Sequence, residues 1–161
     1  MDALEAIRKR RSVRKYTGEP IPRDDLEKIV DAGRLAATGS NTQPWDFIVV
    51  TNRAMIEKLK VASEWMDKAG AIIAVVMDPS SRWWVEDGAA AVENMLIAAT
   101  ALGYGSCWLE GYTLPREKEF KTLLGVPLEK RLLTLVPVGV PIEWPAKGKK
   151  SLTEVIHWEK Y

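Results

Sequence analysis

Six cations crowd eight consecutive positions near the start of the chain: Arg8, Lys9, Arg10, Arg11, Arg14 and Lys15. Packing like charges so densely costs free energy unless something negative lies nearby. The planar guanidinium fork of arginine matches phosphate oxygens. Arg10, Arg11 and Arg14, with the Ser12 hydroxyl, are therefore candidates to grip a single phosphate group. Two other readings of the run stay open: a solvated basic helix end favoured by the helix dipole, and an arm for nucleic acid.

Two further stretches have composition suited to a flat ligand. Thr38-Gly39-Ser40-Asn41-Thr42-Gln43-Pro44-Trp45 concentrates hydroxyl and amide groups just before an apolar strand. There they could hydrogen-bond the edge of a planar heterocycle. Gly103-Tyr104-Gly105-Ser106-Cys107-Trp108-Leu109-Glu110-Gly111-Tyr112 ends a helix, crosses a strand and places Gly111 where backbone could approach such a ligand closely. Each stretch taken alone also reads as an ordinary loop.

Other chemistries are poorly supplied. His157 is the single histidine and lies in the tail, so no histidine triad or metal cluster can be assembled. Cys107 sits among apolar residues, where an inert small hydrophobe is expected. Glu110 is tempting as a general base, and Trp83 with Trp84 read as packing or dimer residues before they read as a substrate lid. Gly103-x-Gly105 follows a helix and lacks a third glycine, so it is not a dinucleotide fingerprint.

The elements that must position these residues follow from periodicity. Asp2 and Glu5 make a capping pair, with Leu4, Ile7 and Ala3 as a narrow apolar stripe on a first helix that ends near Arg10. Arg23-Asp24-Asp25 opens a second helix, buried through Leu26, Ile29 and Val30 and running toward Ala37. Phe47 to Val50, Ala71 to Met77, Ser106 to Leu109 and Leu132 to Val140 read as strands, while Met55, Leu59, Ala62 and Met66 recur at helical spacing. From Val85 to Leu102 small and apolar residues occupy nearly every face, which describes a helix enclosed by protein. Pro115 and Gly125 bracket another short helix, and Leu152 to Trp158 forms a short amphipathic tail. One sheet flanked by helices, in an α+β arrangement, accounts for this order.

The 161 residues suit a single domain spanning 1–161. With 23 Lys and Arg against 22 Asp and Glu, the net charge of +1 provides no broad field for nucleic acid or an anionic membrane. Any anion site must be local. A lone cysteine and an N-terminus without the apolar stretch of a secretory signal point to a reducing cytoplasm. Ala89 to Leu102 is broken by Glu93 and Asn94 and is too short to span a bilayer.

In combination the motifs resemble the nitroreductase family of FMN enzymes, in order along nearly the whole chain. Ile7-x-x-Arg10-Arg11-Ser12-Val13-Arg14-Lys15-Tyr16 resembles the family's phosphate-binding start. Ala36-Ala37-Thr38-Gly39-Ser40-Asn41-Thr42-Gln43-Pro44-Trp45 is similar to its Asn-x-Gln-Pro-Trp signature. Asp87 to Ala99, followed by Gly103 to Trp108, resembles its dimer helix and the strand beyond.

The resemblance implies a homodimer of nitroreductase-like α+β fold, with a mixed or antiparallel sheet and a long buried dimer helix. It further implies FMN contacts from Arg10, Arg11, Ser12 and Arg14. Ala37, Thr38, Gly39 and Asn41 would cover the flavin from the partner subunit, and Leu109, Glu110 and Gly111 would lie along the ring and offer backbone N–H to N5 or O4. Lys149, with Lys147 or Lys150 as substitutes, would complete the phosphate site. NADH or NADPH would deliver hydride to flavin N5, after which a nitroaromatic or quinone takes the electrons; no side chain acts as nucleophile. Reductive dehalogenation, flavin fragmentation and flavin binding without turnover remain alternatives on the same fold. Between Ile56 and Val85 the chain has no counterpart of the Asn and Lys that longer members send to the pyrimidine edge.

Overall fold

Strand β2 (Ala71–Met77) is buried at every position, and its alternate side chains enter two different cores. Ile72, Ala74 and Val76 join one cluster; Ala71, Ile73, Val75 and Met77 join the other. Period-2 alternation sends successive side chains to opposite faces of the sheet, so a wholly apolar strand demands cover on both. A computed structural model describing residues 1–161 shows that cover.

The elements are α1 (Ala3–Lys9), α2 (Arg23–Arg34), β1 (Trp45–Val50), α3 (Arg53–Leu59), β2, α4 (Trp84–Ala101), β3 (Gly105–Ser106), α5 (Glu110–Thr113), α6 (Glu117–Leu124) and β4 (Arg131–Gly139). The four strands lie in the order β1-β2-β4-β3, each pair antiparallel. Beyond β3 the segment after α1 adds a parallel bridge, Ser12 to Ser106. On one face α2 and α4 pack through Leu26, Ile29, Val92, Met95 and Ala99. On the other, α3 and α6 pack through Ile56, Leu59 and Phe120. The arrangement is the expected α+β one.

Gly33 lets α2 sit directly on α4, since a Cβ there would come within 2.8 Å of Met95 Cγ. A break in register between Val75 and Val76 leaves Leu133 of β4 unpaired, and the two flanking stretches of β4 thereby face their proper cores.

Several expected boundaries shift. The second helix stops at Arg34 and not near Ala37, because the Ala36 N–H turns back to the Gly33 carbonyl in a tighter turn. The Met55 to Met66 run is helical only to Leu59 and then forms two 3-10 turns interrupted by extended Ser63. Arg53 enforces that bend by donating to the carbonyls of Ala69 and Asp67. The third strand is shorter than expected, although the Cys107 and Leu109 N–H groups still reach the Pro137 and Leu135 carbonyls. The tail forms a single 3-10 turn, Leu152–Glu154, and is exposed throughout.

Two differences concern surface. Leu4 and Ile7 are exposed, at 63% and 51%, leaving Ala6 as the buried residue of α1. The helix expected to be enclosed, α4, buries Asp87, Gly88, Ala91, Val92, Met95, Leu96, Ala99 and Thr100, while Ala89, Ala90, Glu93, Asn94, Ile97 and Ala98 on the opposite side are half-exposed. Its all-round apolarity thus exceeds what one chain covers.

Candidate functional site

The basic segment leaves α1 extended and joins the sheet edge. The Val13 N–H donates to the Ser106 carbonyl at 2.9 Å, which lays Ser12 beside β3 and brings the cations next to the strand that leads into Leu109, Glu110 and Gly111. Arg10 is largely buried and its Nε lies 3.1 Å from Glu93 Oε1 on α4. Arg14 is exposed and stands over the Trp65 ring at 5.9 Å.

Arg11 is spent differently. Its Nη1 donates to the carbonyls of Arg8 and Arg10 at 2.8 and 2.7 Å, and its Nε donates to the Lys147 carbonyl at 3.0 Å. The guanidinium therefore straps the C-terminal loop to the basic segment. This bond holds the Lys147 backbone at the cluster, while the side chains of Lys147 and Lys149 are both exposed and without partners.

Leu109 is buried and precedes α5, whereas Gly111 is exposed with open space where a Cβ would project. The N–H groups of Glu110 and Gly111, in the first turn of that helix, have no intramolecular acceptor. On the approach to them, Ser106 Oγ and Trp108 Nε1 are buried without partners. Cys107, between these two, packs into the opposite core. Burial pushes its thiol pKa up, against the pull of the Arg14 guanidinium and the Ser12 hydroxyl. A raised thiol is a poor nucleophile, as its sequence setting indicated.

The loop carrying Ala37, Thr38, Gly39 and Asn41 lies at the other end of α4. Ser40, Asn41 and Gln43 have φ of 52°, 57° and 48°, a left-handed path taken by residues that bear a Cβ. Asp87 Oδ1 accepts the Gly39 N–H at 2.9 Å, and Thr38 Oγ1 accepts the Gln43 N–H at 3.3 Å. Ala37 and Asn41 are exposed. Trp83 packs on Gly39, and Trp84 packs on the core beneath the Arg131 guanidinium, so both tryptophans have packing partners. The structure thus lays Ser12 beside Ser106 of β3, between Arg10 against α4 and Arg14 over Trp65, and ties Arg11 to the Lys147 backbone. It holds Ala37–Asn41 apart from them, at the start of α4.

Known proteins share this pattern of elements and motifs. The sequence model described as the nitroreductase family matches residues 7–64 and 55–140. The chain belongs to the nitroreductase family. It is 41% identical to a protein of Archaeoglobus fulgidus provisionally named NADH dehydrogenase/NAD(P)H nitroreductase, over 99% of each chain. A Parabacteroides distasonis crystal structure with the same provisional name superposes with a TM-score of 0.90 at 30% identity, covering 99% of this chain and 98% of that one. A Bacteroides fragilis nitroreductase with bound FMN superposes with a TM-score of 0.79 at 32% identity, covering 94% and 95%. The nitroreductase fold of this chain is thereby shown.

Within that fold, residue type and spacing do not reveal the partners of two acids: Glu93, an interruption of an apolar helix, pairs with Arg10, and Asp87 holds Gly39. Ser106 and Trp108 contribute unpartnered polar atoms. The acids at 87 and 93 did carry a signal: charged residues inside an otherwise small and apolar helix need partners.

Proposed function

We propose that the chain binds FMN and works as an NAD(P)H-dependent oxidoreductase on small electrophiles, as a homodimer in the cytoplasm. The observation that carries this reading is the Ser12 to Ser106 bridge. It sets the basic segment against β3, four residues before a turn whose two leading N–H groups lack acceptors. Cations at one end and free donors at the other suit a ligand with a phosphate and a flat, acceptor-rich ring. The unpartnered Ser106 Oγ and Trp108 Nε1 also fit a polar ligand along the same segment.

The residues divide the work. Arg10 and Arg14 neutralise the phosphate and the Ser12 hydroxyl donates a hydrogen bond to it, with Lys147 and Lys149 reaching it from the C-terminal loop that Arg11 fixes. Leu109, Glu110 and Gly111 line the ring, the last two offering backbone N–H to its acceptor atoms, and the absence of a side chain at Gly111 leaves room for close approach. Ala37, Thr38, Gly39 and Asn41 of the partner subunit cover the opposite side. The half-exposed ridge of α4, with Leu4 and Ile7 of α1, is the apolar surface that supports this dimer. When bound, FMN supplies two-electron chemistry, taking hydride from NADH or NADPH and passing electrons to a nitroaromatic or quinone. Preorganised donors and cations that cost no rearrangement are the protein's contribution.

The test is an anaerobic titration of the FMN-loaded protein. NADH or NADPH bleaches the flavin, and a nitroaromatic or quinone restores its colour over repeated turnovers. Restoration by a halogenated aromatic with halide release, and not by a nitroaromatic or quinone, would instead support the dehalogenating alternative. Absence of bleaching by either nucleotide would count against the proposal.

A further inference from the structure

We infer that Asp87 is a positioning residue for the cofactor-covering loop, holding the Gly39 N–H so that Ser40, Asn41 and Gln43 keep their left-handed conformations. The inference rests on the proposed role of that loop over FMN. Asp87 is 4% exposed and lies in the first turn of α4. A buried carboxyl group is costly unless it is hydrogen-bonded. Here Oδ1 accepts the Gly39 N–H at 2.9 Å, and Oδ2 has no partner at all. An apolar residue would fill this position at lower cost, so the single bond to the loop is what the carboxyl group provides.

What it holds is itself unusual. Three residues with side chains, Ser40, Asn41 and Gln43, take positive φ within four positions. Such conformations persist where the surroundings over-determine them and concentrate at ligand-binding segments. On the other side of Gly39 a Cβ would lie 2.3 Å from Trp83 Cδ1. Gly39, which opens the turn, is thus gripped between the indole and the carboxyl group. Thr42 Oγ1 adds a longer contact to Ser81 Oγ at 3.3 Å. Loss of the carboxyl group would release the turn at its first residue and leave the cations of the basic segment untouched.

Three variants test this: Asp87→Ala, Asp87→Leu, which fills the volume without an acceptor should alanine not fold, and Asp87→Asn, which keeps an acceptor of the same shape. Two quantities are measured: the FMN dissociation constant by quenching of flavin fluorescence, and hydrogen exchange of the Gly39 to Gln43 amides in the protein without FMN. Alanine or leucine should weaken FMN binding by about tenfold or more, the scale of a lost buried bond to a carboxyl group, and should speed Gly39 exchange. Asparagine should restore most of both. Unchanged FMN affinity in the acceptor-less variants, or an asparagine variant as weak as alanine, would overturn the inference. A wild-type protein that takes up no FMN would overturn the reading of the site and the cofactor role of Asp87 with it; exchange would then still decide whether the carboxyl group clamps the loop.

Discussion

Replacing Arg10 by alanine separates a cofactor contact from a surface ion pair. The guanidinium is 17% exposed and 3.1 Å from Glu93, whose carboxyl is 46% exposed. Because the Glu93 side of the pair is open to water, the pair is screened and contributes about 0–1 kcal/mol to stability. A hydrogen bond from the same guanidinium to a phosphate is charge-assisted and contributes about 1.5–3 kcal/mol. At 1.4 kcal/mol per tenfold, Arg10→Ala should raise the FMN dissociation constant by roughly 10- to 150-fold. Glu93→Ala removes the ion pair but keeps the cation, so its FMN affinity should stay close to wild type. Arg10→Ala with Arg14→Ala should bind FMN more weakly than either single variant. Fluorescence-quenching titrations give the affinities, and urea unfolding gives the small stability change common to Arg10→Ala and Glu93→Ala. An Arg10→Ala, Arg14→Ala protein that binds FMN within about threefold of wild type, the scale of a lost surface pair, would refute the phosphate assignment.

Gly39→Ala places a methyl group 2.3 Å from Trp83 Cδ1; overpacking of this kind costs about 1–3 kcal/mol, and a second change, Trp83→Ala, should recover part of the lost FMN affinity in the same titration. Glu117 should make stability acid-sensitive. Burial raises its pKa, but the Arg131 guanidinium at 2.8 and 2.9 Å and the Leu132 N–H at 2.9 Å outweigh that and hold it below its ordinary value. Because the folded value lies below the unfolded one, this stabilisation is complete above the ordinary glutamate range and is lost as pH falls through the folded value. Glu117→Gln should therefore cost about 1–3 kcal/mol at neutral pH and progressively less on acidification, read by urea unfolding across pH. Ile97→Lys, on the half-exposed side of α4, should shift sedimentation toward monomer and lower flavin retention in parallel; a stable monomer that keeps its FMN would contradict an interface site.

The frame was legible wherever one pattern governed a stretch. Ala71–Met77 is a strand over the expected residues because continuous β-branched and apolar residues at that length leave few alternatives. Asp2 caps α1 through the Glu5 N–H at 2.9 Å, as its type and spacing required. Legibility failed where tertiary contacts override local preference. Nothing local to Met55–Met66 announces that Arg53 will bend it by bonding the carbonyls of Ala69 and Asp67, and Leu4 and Ile7 have helical spacing without a partner in their own chain. In the site, residue types identified the basic segment, but its contacts depend on the distant segments it meets. Arg11 faces backbone carbonyls, one of them 136 residues away, because the loop after β4 returns to the sheet edge there. The role of Asp87 requires the position of a loop 48 residues earlier in the chain.

FMN content of the purified protein is the most direct test of the cofactor site. The purified protein should be yellow, or become so on incubation with FMN and remain so after desalting. Its absorption spectrum should be that of flavin, and the released cofactor should match FMN on chromatography. A colourless protein that retains no FMN after desalting would contradict the reading of the Arg10 to Arg14 segment and the Leu109–Gly111 turn as two ends of one cofactor site.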